Sequence, residues 1–127
     1  MKLEDQCCTL AQAKRLKELG IFQSNTFHYA ASNEYSKLYY GPPAPYLESV
    51  SYSAYTVAEL GVMLPPGFDT MFCINEGWRG YDADGNVFKD TPYATEAELR
   101  ADMIIELLEK FPDAEAYRTQ ISWRLQK

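Results

Sequence analysis

Thr95-Glu-Ala-Glu-Leu-Arg-Ala-Asp-Met-Ile-Ile-Glu-Leu-Leu-Glu-Lys-Phe111 is the most decisive stretch of this 127-residue chain. Thr95 followed by Glu98 has the form of a capping box, in which each residue satisfies the other's backbone N–H at the start of a helix. Leu99, Met103, Ile104, Leu107, Leu108 and Phe111 then recur at three- and four-residue spacing, placing them on one face of an amphipathic helix. Pro112 closes it, because a proline cannot donate the next backbone hydrogen bond. Glu96, Glu98, Asp102, Glu106 and Glu109 surround the remaining faces. The early acids suit the helix dipole, and the set reads as a solvated face rather than as paired catalytic carboxylates.

The same start signal occurs twice upstream. Thr9 and Gln12 open a helix over residues 9–19 with Leu10, Ala13, Leu16 and Leu19 on its apolar face, stopped by Gly20. Thr56 and Glu59 open a shorter one carrying Val57, Leu60, Met63 and Leu64, ended by Pro65-Pro66-Gly67. Between these helices, Thr26 to Tyr40 is rich in Tyr, Phe and Thr around Ser32-Asn33-Glu34, which predicts a β-hairpin. Gly41-Pro42-Pro43-Ala44-Pro45 reads as a stiff loop, followed by an extended segment within Tyr46–Tyr52. Met71-Phe72-Cys73-Ile74 reads as a buried strand. Glu76-Gly77 then reads as a turn into Trp78–Tyr81, and Asp84-Gly85 as a second turn before Val87 and Phe88. The tail alternates strictly from Tyr117 to Gln126 and is read as a strand. A helix is the competing reading, because Tyr117, Ile121 and Leu125 also share a helical face.

The elements are joined too closely for parallel crossovers. The expectation is therefore one α+β domain over residues 1–127, about three helices packed on a mainly antiparallel sheet of hairpins. Its expected core is Leu16, Leu19, Leu60, Leu64, Met71, Ile74, Leu99, Met103, Leu107 and Phe111.

Composition excludes more than it assigns. Hydrophobic residues make up 46% and charged residues 24% of the chain, ordinary values for a domain that folds on its own. No 18-residue apolar run and no basic, apolar leader occurs, so neither membrane insertion nor export is expected. Three cysteines, with Cys7 and Cys8 adjacent, suit reduced thiols in a cytoplasm better than a disulfide framework or a zinc site. A net charge of −6 disfavours binding to a nucleic-acid backbone.

No catalytic residue, metal or cofactor is assigned. His28 is the only histidine and is read as structural. A Cys73–His28 dyad is the one nucleophile and base pairing the composition allows. Asp82, Asp84 and Asn86 alternate like calcium ligands, but Gly85 falls too early and no Glu follows at the twelfth position, so a solvated turn is expected. Tyrosine is concentrated around the proline loop, and its flat apolar ring with a polar tip suits contact surfaces. Tyr35, Tyr39, Tyr40, Tyr46, Tyr52 and Trp78 are the candidate binding residues.

Three segments together resemble a group of small uncharacterised proteins of Bacteroidetes genomes and their prophages. They are Cys8-Thr-Leu-Ala-Gln-Ala-Lys-Arg-Leu-Lys-Glu-Leu-Gly20, Tyr52-Ser-Ala-Tyr-Thr-Val-Ala-Glu-Leu-Gly-Val-Met-Leu-Pro65, and Thr95-Glu-Ala-Glu-Leu-Arg-Ala-Asp-Met103 with its Leu-Leu-Glu continuation. They span under a third of the chain. The resemblance implies a phage-associated or mobile-element context and carries no activity.

The leading expectation is a non-enzymatic accessory or protein-interaction domain, binding a protein partner or itself through the Tyr-rich surface, with no nucleic acid and no membrane as partners. The alternatives are a ligand-binding protein or enzyme, with a pocket between sheet and helix lined by Tyr, Trp78 and Cys73, and an acidic mimic of nucleic acid.

Overall fold

The computed structural model describes residues 2–21, 23, 27–31, 36–40, 51–110 and 114–125. In chain order the elements are α1 (Leu3–Gln6), α2 (Leu10–Glu18), β1 (Phe27–Ala31), β2 (Ser36–Tyr40) and β3 (Ser51–Ser53). They continue with α3 (Val57–Met63), β4 (Asp69–Cys73), β5 (Gly77–Tyr81), α4 (Glu96–Lys110) and α5 (Glu115–Leu125). The class is α+β, but the strands form two antiparallel sheets where one was expected. β2-β1-β3 makes one and β4-β5 the other.

All three predicted helix starts are present. Thr9 and Thr56 each accept a hydrogen bond from the backbone N–H three residues on, and the Gln12 and Glu59 side-chain oxygens each accept one from the backbone N–H of the capping residue. At the third, Thr95 Oγ1 accepts from the Glu98 N–H at 3.2 Å. Gly20, at φ 86°, ends α2 in the left-handed region that glycine enters without strain.

Helix α4 is the hub, and its sides face different neighbours. Toward α2, Gln12 Nε2 donates to the Glu98 carbonyl and to Asp102 Oδ1, both at 2.8 Å, and Arg15 meets Glu109 at 3.0 Å. Toward α3, Arg100 Nη1 donates to the Val57 carbonyl at 2.9 Å. Toward β5, Leu99 and Met103 lie against Gly80, where any side chain would collide with them. Ala97, Leu99, Ala101, Met103, Ile104 and Leu108 are buried, so the helix is covered on more than the single face its sequence predicts. Glu96 and Asp102 are correspondingly structural acceptors rather than solvated acids. Glu96 pairs with Arg100 at 2.7 Å and accepts from Thr70 Oγ1, while Asp102 accepts from Gln12 and from the Tyr93 hydroxyl at 2.6 Å.

Leu16, Leu60, Leu64, Leu99 and Met103 are buried as expected. Leu19 and Leu107 are only half-buried, and Phe111 lies outside the described residues.

Two further expectations are corrected. The first concerns the tail, which is helix α5. The two readings share Tyr117, Ile121 and Leu125 and differ at Thr119 and Trp123, which a strand would bury beside them. Both are exposed, Trp123 at 61%. Ile121 is fully buried, the Tyr117 hydroxyl donates to the Met63 carbonyl at 2.8 Å, and Arg124 Nη1 donates to the Val62 and Leu64 carbonyls at 3.3 and 3.4 Å. The α5 side chains thus satisfy carbonyls at the end of α3 that a helix leaves without intrahelical donors.

The second correction concerns residues 71–74, which form an exposed hairpin arm rather than a buried strand. The strand ends at Cys73, and Ile74 sits in the turn, where Glu76 N–H donates to the Cys73 carbonyl at 3.0 Å and Asn75 adopts φ 68°. An apolar run reads as buried when something covers it. Here α4 leans on β5 at Gly80, and β4 lies beyond it.

Candidate functional site

Strand registers show which face of the sheet each described tyrosine occupies. In the three-stranded sheet, Phe27 pairs with Tyr40, His28 with Tyr39, and Tyr29 with both Leu38 and Tyr52. Paired residues share a face and neighbours alternate, so Tyr40 and Tyr52 lie on the side of Tyr29, and Tyr39 lies on the opposite side with His28. The candidate cluster is therefore divided between two faces. Tyr29 is buried with its hydroxyl donating to the Cys8 carbonyl at 2.7 Å, and Tyr55 is fully buried. Tyr52 is covered by the ammonium groups of Lys14 and Lys17, 5.7 and 5.1 Å from its ring centre. Tyr39 stacks on His28 with ring centres 5.9 Å apart. Tyr40 is open at 78% exposure, with its ring edge-on to Phe27. Tyr35, Tyr46 and the proline loop lie outside the described residues.

Trp78 belongs to the other sheet, on β5, edge-on to Phe72 with ring centres 5.3 Å apart. It lines a cleft of about 310 Å³ with Asp5, Val57, Ala94, Thr95 and Glu96. Among the described residues, neither Cys73 nor a tyrosine lines it. A second cleft, also about 310 Å³, lies between the 82–88 loop and α4, lined by Phe68, Asp82, Val87, Met103, Glu106 and Lys110 among others.

The nucleophilic pairing weighed from composition is not assembled by the fold. His28 is fully buried in β1 of one sheet, while Cys73 ends β4 of the other, paired with Gly77. Burial pushes the Cys7 thiol up to about 11 and the Cys8 thiol up to about 12. Both therefore stay protonated near neutrality, and a protonated thiol is a poor nucleophile and a poor ligand. The Asp82 carboxylate accepts from the backbone N–H groups of Asp84 and Asn86, each at 2.9 Å. These bonds, that of Asn86 foremost, hold its carboxyl below the usual range, which is the chemistry of a closed turn. Among the described residues no group of three or more His, Cys, Asp or Glu is placed to hold a metal ion. No helix among them is long and apolar enough to cross a membrane.

The feature that composition did not single out is the β4–β5 hairpin. Met71 and Phe72 are each 55% exposed and Ile74 is 80% exposed, all within four consecutive positions. Among the described residues the other large exposed apolar side chains, Tyr40, Val62, Val87 and Trp123, are dispersed in sequence, and single exposed apolar side chains are ordinary. Successive strand residues point to opposite faces, so the exposure of both Met71 and Phe72 means that this arm is open on both sides. The available sequence signal was Asn75-Glu76-Gly77, which puts Ile74 at a hairpin tip, where burial is hard to achieve. Compared with protein-family models, curated proteins and solved structures, the chain shows no match.

Proposed function

We propose that this chain is a non-enzymatic protein-interaction domain whose contact element is the β4–β5 hairpin. The observation that carries the reading is the clustering of exposed Met71, Phe72 and Ile74 on one arm of a two-stranded sheet. A two-stranded sheet is marginal in water without a covering layer, and grouped large apolar side chains at the surface mark sites where another surface removes them from water. The reading moves the contact surface away from the tyrosines, because Tyr29 and Tyr55 belong to the core and Tyr39 and Tyr40 face opposite ways. Tyr40 remains exposed, edge-on to Phe27.

The test is site-specific photocrosslinking in cells, with a photoreactive amino acid replacing Ile74 and, as controls, Glu115 and Ala58. A discrete protein adduct at Ile74 that both controls lack supports the reading. Equal labelling at all three positions, or none at Ile74, overturns it.

A further inference from the structure

Among the described residues the β5 edge of the hairpin is covered and the β4 edge pairs with no strand, and backbone bonds show which groups that edge presents. Trp78 exchanges both of its backbone hydrogen bonds with Tyr93, each at 2.8 Å, and the Gly80 carbonyl accepts from the Phe88 N–H at 2.8 Å. These groups on β5 therefore point away from β4. Their register partners are Phe72 and Thr70, and in an antiparallel ladder the two members of a non-bonded pair both turn their N–H and C=O groups to the outside. Asp69, Met71 and Cys73 accordingly bond inward to β5. Thr70 and Phe72 present theirs at the free edge, where no other described strand lies. The Thr70 N–H is held by its neighbour, the Asp69 carboxylate, at 2.8 Å.

We infer that this edge pairs with the same edge of a second copy of the chain, across a twofold axis through Met71, giving a four-stranded antiparallel sheet. This rests on the reading of the hairpin as the contact element and names its partner. About that axis Thr70 stands opposite Phe72 of the second copy, and Phe72 opposite Thr70. In each such pair the Phe72 N–H can donate to the Thr70 carbonyl, and the Thr70 N–H can donate to the Phe72 carbonyl once it leaves the Asp69 carboxylate, so the outward groups of one copy match those of the other without a register shift. Met71 then faces its own counterpart as the intervening non-bonded pair, at a Cα separation of about 4.5 Å.

Charge also fits. Asp69 is the only charged residue in β4, and in this register it stands opposite Cys73 of the second copy, so no like charges meet directly. No described strand lies beyond β4; at its Asp69–Thr70 end the edge borders a cleft shared with Ala58, Gly61 and Val62 of α3. A five-residue edge is at the small end of interface sizes, so the dimer is reversible and its population depends on concentration.

The experiment is light scattering across a micromolar to millimolar series, on the wild type and on two variants. Met71→Glu places a carboxylate beside Arg79, its register partner in the same hairpin, which favours the fold, but sets two carboxylates against each other across the axis. Met71→Lys sets two ammonium groups there. The wild type is expected to rise from 14.5 kDa toward twice that mass. Met71→Glu is expected to stay at the monomer mass with unchanged thermal unfolding, and an equimolar mixture of the two variants is expected to rise again. A wild-type mass that stays flat overturns the inference, as does a dimer indifferent to Met71→Glu. A flat mass together with a photocrosslink from Ile74 to a different protein overturns this inference alone and leaves the interaction reading standing. Absence of any Ile74 adduct overturns both.

Discussion

Replacing Gly80 with alanine tests whether contact with α4 positions the hairpin. Gly80 is buried and is not among the positive-φ glycines, so its backbone accepts alanine without strain. The added Cβ would lie 2.6 Å from Met103 Sδ and 3.1 Å from both Met103 Cε and Leu99 Cδ1. Contacts under 3 Å force a shift. Met103 and Leu99 are each only 1% exposed, so they have little room to give. Overpacking of this kind costs about 1–3 kcal/mol, offset by about 0.4–1 kcal/mol because alanine restricts the unfolded chain more than glycine does. The net expectation is a loss of about 1–2 kcal/mol, or a Tm lower by about 3–8 °C for a chain of this size. Met103→Ala alone removes a buried side chain and costs about 2–5 kcal/mol. In that background the new methyl group enters space the methionine vacated, so Gly80→Ala becomes neutral or stabilising. Urea unfolding of the four proteins in this cycle measures the coupling. A Gly80→Ala variant as stable as wild type, or one paying the same penalty in both backgrounds, would refute the proposed packing.

Three further outcomes are expected. Cys7 and Cys8 ionise in the folded state only at about 11 and 12, against 9.0 for the unconstrained thiol, and burial also pushes the Tyr29, Tyr55 and Tyr117 hydroxyls upward. The folded state thus holds these protons more tightly than the unfolded one, so their contribution is intact below pH 9 and is lost as pH rises through 11. Urea midpoints should therefore fall between pH 8.5 and pH 11. Thr56→Ala removes the oxygen that caps the Glu59 N–H at 3.2 Å and should cost about 1 kcal/mol, while Thr56→Ser should cost much less; thermal unfolding of the pair separates them. Gln12→Ala should destabilise more than Thr9→Ala, by about 1 kcal/mol or more in urea unfolding. Beyond the cap, Gln12 also supplies the two 2.8 Å bonds to Glu98 and Asp102.

The legible parts of this fold are those whose chemistry closes within a few residues. A capping box joins residues three apart, and all three threonine caps are where the sequence puts them. Gly20 is similar, since its left-handed backbone ends α2 locally. The candidate site was legible only in pieces. The sequence offers Trp78 as a candidate binding residue but places Met71 and Ile74 in the core and Phe72 in a buried strand, because an apolar run has the same appearance whether or not a layer lies over it. The tyrosines were recognised as a group, yet membership of a face depends on the pairing of β1 with β2 and β3, which joins residues far apart in the chain.

The tail makes the same distinction. Tyr117, Ile121 and Leu125 satisfy a period of two and a helical period alike, and only the surroundings of Thr119 and Trp123 separate the readings. By itself, then, the sequence determined the helix starts, the two strands within residues 27–40 and the α+β class, since these follow from short-range hydrogen bonding and side-chain periodicity. The tertiary structure decided that α5 is a helix, that the strands form two sheets, and that Met71, Phe72 and Ile74 are exposed. Each of those outcomes depends on which distant surface covers a segment, and burial is a property of the pair of surfaces rather than of either alone.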